Sequence, residues 1–181
     1  MTAMTLVHLR TLQPADLPAY HTLMRHALEE HSRAIGISPE EWDLITLEAL
    51  QKHLEDLSGT ILVAENEEGL VATVRCQVHQ QVSKKAHKGH VSWMYVLPEY
   101  RREGLATQLL DHLTDWARAE GLEWLNITVT VGQTEAQKFY RAFGFEIWGY
   151  ETHGLKLETE LGTEYFDLEH LQYKLSKKPL K

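Results

Sequence analysis

Cysteine, proline and long apolar runs are scarce in this chain of 181 residues, and basic residues are outnumbered by acidic ones. The one cysteine, Cys76, rules out an internal disulfide. With no second thiol near it, it reads as a packed side chain in a strand rather than a nucleophile. No segment has enough consecutive apolar residues to cross a bilayer, and the opening MTAMTLVHLR has neither the basic start nor the apolar middle of a signal peptide. A cytoplasmic protein with no membrane association is expected. With 18 Lys and Arg against 26 Asp and Glu, the formal net charge of -8 argues against nucleic-acid binding and favours cationic partners. No repeat, low-complexity tract or linker appears, so residues 1–181 are expected to form a single domain.

What is present alternates strands with helices. Thr5 to Leu12 has strand character, and Asp16 to His31 repeats Leu17, Tyr20, Leu23, Met24, Ala27 and Leu28 at helical spacing. Ser38, Pro39 and Glu41 form a capping-box signature for a second helix, which carries Trp42, Ile45, Leu50 and Leu54 inward and ends near Ser58 and Gly59. Thr60 to Ala64 and Leu70 to Val78 read as a hairpin, and Gln80 to Lys88 as a loop. A strand from His90, a helix ending at Gly121, a strand from Leu122 to Val131 and a short helix from Thr134 to Phe143 follow. Strand character returns around Ile147 and Trp148 and, after a polar stretch from Glu158 to Thr163, from Tyr165 to Leu175. The order is βααβββαβαββ, an α/β fold. Its exposed terminal strand offers an edge through which two copies could pair as a homodimer.

The segment His90 to Leu110, HVSWMYVLPEYRREGLATQLL, joins a buried strand to an amphipathic helix through a proline turn, two arginines and a glycine. Backbone N–H groups and positive charge thus meet where the helix begins, a seat for a phosphate-bearing ligand.

Arg101, Gly104 and Ala106 fit Arg/Gln-x-x-Gly-x-Gly/Ala, and Ala136-x-x-Phe139-Tyr140-x-x-Phe143-Gly144-Phe145 lies downstream. Together these resemble the two signatures of the GNAT family of N-acetyltransferases, and the element order resembles that family's fold over essentially the whole chain. The resemblance implies a mixed, twisted sheet of about seven strands with helices on both faces, and acetyl-CoA as cosubstrate. Gly104 has no side chain to hold a diphosphate off the backbone, and the N–H groups of Arg102, Glu103, Gly104, Leu105, Ala106 and Thr107 can converge on its oxygens. Arg101 and Arg102 supply compensating charge.

By the same resemblance, the strand at Ser92 to Val96 splays from Leu125 to Val129. Met94, Tyr95 and Val96 then line the pantetheine arm, and the Val96 N–H polarises the thioester carbonyl. Tyr140 matches the tyrosine that protonates the departing thiolate in many members, and Gln133 stands where an asparagine often contacts the cofactor. Where some relatives carry an acidic base, this chain has His90 and Ser92; His90 is the candidate base, with Glu99 acting through water as another route. His87 and His90 lie three apart without further ligands, so no metal is expected. Glu29, Glu30 and His31 are either a solvated helix end or a recognition point for a cationic amine. The implied activity is transfer of acetyl to a primary amine of a small molecule or peptide. The alternative is a non-catalytic acyl-CoA-binding or regulatory module of the same fold.

Overall fold

The computed structural model describes residues 7–79 and 83–175. Seven strands form one sheet: β1 (His8–Thr11), β2 (Gly59–Asn66), β3 (Gly69–Val78), β4 (Lys88–Val96), β5 (Trp124–Thr130), β6 (Glu146–Thr159) and β7 (Gly162–Lys174). The spatial order is β1-β2-β3-β4-β5-β7-β6, antiparallel throughout except for the parallel pair β4 and β5. The helices are α1 (Leu17–Glu30), α2 (Pro39–Asp43), α3 (Leu47–Glu55), α4 (Leu105–Ala119) and α5 (Thr134–Phe143).

The two faces of the sheet carry separate cores because strand side chains alternate. Leu62, Ala64, Val74 and Cys76 pack with Leu109, Leu110 and Leu113 of α4. Ile61 and Val63 face the other way, onto Tyr20, Met24 and Leu28 of α1 and Trp42 of α2. Cys76 is fully buried, and burial pushes its thiol up to about 12, consistent with a packing role.

The capping box forms as expected: Ser38 Oγ accepts from the Glu41 N–H at 3.1 Å, and the Ser38 N–H donates to Glu41 Oε2 at 2.7 Å. The helix it starts is shorter than expected. Thr46 Oγ1 accepts from the Ala49 N–H at 3.1 Å and starts α3, so the single helix expected from Ser38 to Ser58 is two, and the order is βαααβββαβαββ. The polar stretch Glu158 to Thr163 is mostly strand, since Glu158 pairs with Thr163 and Thr159 with Gly162 across a turn at Glu160 and Leu161. β7, the last strand in the chain, lies between β5 and β6, so the edge belongs to β6. Of the expected first strand, Thr5 and Leu6 lie outside the described residues, as do Gln80 to Val82 of the expected loop. Among the described residues no helix is long and apolar enough to cross a membrane.

Candidate active site

β4 and β5 pair only from Lys88 with Trp124 to Val91 with Ile127. Beyond that point they part, and the cause is local. Trp93 and Met94 together oppose the single residue Val74 of β3, between the pairs Arg75 with Ser92 and Thr73 with Tyr95. Trp93 takes the left-handed conformation with φ 56, a bulge that costs about 1 kcal/mol or more for so bulky a residue and bends the strand away from its neighbour. The Leu97 N–H donates to the Val71 carbonyl at 2.9 Å, so the alternation of the strand turns the Val96 N–H to the opposite, open side.

The opening is a cleft of about 560 Å³. β4 contributes His90 to Met94, β5 contributes Ile127 to Thr130, and the loop after α1 contributes Ala34 to Ile37. Gln133, Ala136 and Tyr140 close it from α5. Tyr140 is buried, ringed by Phe139 and Phe145 in edge contacts with centroids 5.1 and 5.5 Å away. No hydrogen bond among the described residues engages its hydroxyl, and burial pushes its pKa up, keeping the proton in place. Arg141, next in the chain, donates through Nη2 to both oxygens of buried Glu169 at 2.9 Å, which fixes α5 against β7 and so orients Tyr140.

At the far end of β4 the chain makes a tight turn at Pro98–Tyr100 and enters α4 through two left-handed residues, Arg102 at φ 68 and Gly104 at φ 80. The first helical bond runs from the Gln108 N–H to the Gly104 carbonyl at 3.0 Å, so helix geometry leaves the N–H groups of Leu105, Ala106 and Thr107 without intrahelical partners. Nothing lies within 4 Å of a Cβ built on Gly104, which leaves the approach to these donors open. The turn thus has the donors, charge and access that a diphosphate needs. Arg102 and Glu103 are exposed here, and Arg102 touches Glu135 at the start of α5 only loosely, at 3.7 Å.

The two arginines differ. Arg101 turns back: its Nε donates to the Val96 carbonyl at 2.8 Å, and its other nitrogens grip Glu30. Its charge is already answered, whereas that of Arg102 faces solvent. Tyr95 is also turned away from the cleft, its hydroxyl donating to Glu30 Oε2 at 2.8 Å, so any contribution it makes there comes from its backbone.

Glu30 is therefore not free to meet an amine, and Glu29 is held by Arg25 at 3.1 Å. Only His31 of that trio lines the cleft. Burial lowers the His31 pKa and outweighs the neighbouring Glu30 carboxylate, which raises it. His90, at the rim, is lowered first by desolvation and then by the nearby His79, Arg75 and His170. Both imidazoles are consequently neutral near pH 7 and able to accept a proton. Glu99 is exposed on the turn and does not line the cleft. No sequence pattern marks His31 as a base candidate, and the one signal at Arg75 is an arginine amid apolar strand residues.

Residues 20–145, most of the chain, match the family model described as acetyltransferase (GNAT) family. A GNAT-family acetyltransferase from Streptococcus pneumoniae is 23% identical and superposes with a TM-score of 0.79, over 93% of this chain and 99% of that one. A ribosomal-protein-alanine N-acetyltransferase from Brucella melitensis is 26% identical with a TM-score of 0.75, over 93% and 99% of the two chains. A GNAT superfamily phosphinothricin acetyltransferase from Sinorhizobium meliloti, in complex with acetyl-CoA, is 18% identical with a TM-score of 0.75, over 96% and 90%.

Proposed function

This chain belongs to the GNAT family of acetyltransferases, and we propose that it transfers the acetyl group of acetyl-CoA directly to a primary amine of a small molecule or peptide. The observation that carries this reading is the parting of β4 and β5 beyond Val91 and Ile127, with Tyr140 at its wall. Acetyl-CoA supplies the activated acyl carbon and a thiolate leaving group.

The chain supplies the rest. The N–H groups of Leu105, Ala106 and Thr107, with those of Arg102, Glu103 and Gly104 and the charge of Arg102, hold the diphosphate; Arg101 holds the turn in place through Glu30. Met94 and Gln133, just ahead of α5, line the cleft that takes the pantetheine arm, and the backbone of Tyr95 and Val96 continues β4 past it. The Val96 N–H donates to the acyl oxygen as charge builds on it. His90 takes the proton of the acceptor ammonium, a carbon–nitrogen bond forms as the carbon–sulfur bond breaks, Tyr140 gives its proton to sulfur, and the second proton on the acylated nitrogen returns to the Tyr140 phenolate. No metal takes part in this scheme. The likeness to a ribosomal-protein-alanine N-acetyltransferase keeps a peptide N-terminus within the acceptor class. The same reading puts the protein in the cytoplasm, with the free edge of β6 available for pairing two copies.

Calorimetry with acetyl-CoA, followed by thiol-release assays over a panel of amines and peptides, tests the proposal. Binding with turnover on at least one acceptor is expected. Binding without acetylation of any acceptor would favour a non-catalytic acyl-CoA module, and failure to bind coenzyme A would remove both readings.

A further inference from the structure

A second cavity, of about 320 Å³, lies between the sheet and α1 to α3 and shares Ile37 and Trp93 with the cleft. Its walls are largely apolar, with the Trp42 and Trp93 rings 5.3 Å apart between centroids. One wall is Arg75, and its position is unusual. Its Nη2 donates to Gln77 Oε1 at 2.9 Å, while its Nε is buried and has no hydrogen-bond partner. No carboxylate among the described residues pairs with it. A half-buried guanidinium without a counter-charge is destabilising, and desolvation lowers its pKa, against smaller raising effects from Tyr20 and Cys76.

We infer that the acceptor is an amine that also carries a carboxylate, a free amino acid with an apolar side chain: the carboxylate accepts from Arg75 Nη1, and the apolar body lies against Trp42 and Trp93. Arg75 is the register partner of Ser92, which lines the cleft, and the cavity it borders shares Ile37 and Trp93 with that cleft, so one ligand can reach into both. The cavity is too small for an extended peptide and large enough for one apolar residue. The fate of the amine rests on the transferase reading; the carboxylate site does not.

Calorimetry on the full chain saturated with coenzyme A compares L-phenylalanine and L-methionine with their carboxamides, which differ only in the charged group. The acids should bind at least about tenfold more tightly. Arg75→Gln should abolish that preference while coenzyme A affinity and the far-UV circular dichroism stay as in the wild type, and Arg75→Lys should keep part of it. Acid-selective binding without acetyl transfer would uphold the carboxylate site and remove the transferase reading. Acetylation of amines regardless of a carboxylate, or no preference for either acid in the wild-type protein, would overturn the inference, as would a preference that survives Arg75→Gln.

Discussion

Arg101 and Glu30, 71 positions apart, meet in a two-pronged ion pair, with Nη1 at 2.6 Å from Oε1 and Nη2 at 2.7 Å from Oε2. Tyr95 completes the group: its hydroxyl bonds to Glu30, and its ring lies 5.5 Å from the Arg101 guanidinium carbon. The arrangement ties the end of α1 to the loop that leads into α4, so the acceptor side of the molecule and the diphosphate turn share one fastening.

The pair should make stability depend on acidity. Arg101 holds the Glu30 pKa down at about 2, against 4.5 for an unperturbed carboxyl. A carboxyl with a depressed folded-state pKa stabilises the fold above its unfolded value, and that contribution drains away as pH falls from about 4.5 towards 2. Because the group is partly exposed, solvent screening leaves about 1–2 kcal/mol of it at pH 7. Glu30→Gln should melt a few degrees lower than the wild type at pH 7, the gap narrowing in that acid window. A gap that is constant with pH would show that the pairing is not its source.

The two arginines should separate cleanly on substitution. Arg102→Ala should weaken coenzyme A binding by about three- to tenfold, an effect that shrinks as salt is raised, with little change in melting temperature. Arg101→Ala, by contrast, should lower the melting temperature, because it leaves Glu30 and the Val96 carbonyl without their partner. Calorimetry across a salt series, beside thermal melts, decides between this division and one in which Arg101 carries the phosphate charge.

Tyr140→Phe should lower kcat by about 10²-fold or more while the dissociation constant for acetyl-CoA holds steady. Since burial raises the Tyr140 pKa, kcat should show no loss of the acid form up to pH 9. An unchanged kcat in the variant would take Tyr140 out of the proton-donor role.

A base that must be neutral gives kcat/KM an acid limb. With His90 lowered from 6.5, that limb should have its midpoint below 6.5, and His90→Gln should flatten it with a loss of about 10²-fold. His31→Gln should leave the limb in place. If the limb disappears in His31→Gln instead, the proton goes to His31.

Local chemistry is what made most of the fold readable. The Ser38 and Glu41 capping box, the six apolar positions of α1 and the turn ahead of α4 each announce themselves within a few residues, and each formed. Thr46 announces itself in the same way, as a hydroxyl three residues ahead of a free N–H, but the apolar spacing running across it from Trp42 to Leu50 masked the break. The parting of β4 from β5 was expected from family resemblance alone. Its physical cause, a tryptophan at positive φ, has no glycine or proline to mark it. Nor can local reading find a partner 71 residues away, which is why the sequence alone points Arg101 to phosphate and leaves Glu30 as either a solvated helix end or an amine contact. Arg75 stood in plain view, yet whether a strand arginine meets a carboxylate depends on three helices packed above it.

Four residue pairs, Lys88 with Trp124 to Val91 with Ile127, stitch the first four strands to the last three. In mechanical terms this is the seam along which the two halves of the sheet part most readily: only the edge strand β1 is held by as short a ladder, its four pairs with β2, and every other junction is longer. A molecule seated in the gap would act as a wedge that braces both halves at once. Its binding should then do more than raise the melting temperature by mass action: the two halves, free to loosen separately when it is absent, should come apart as a single unit when it is present.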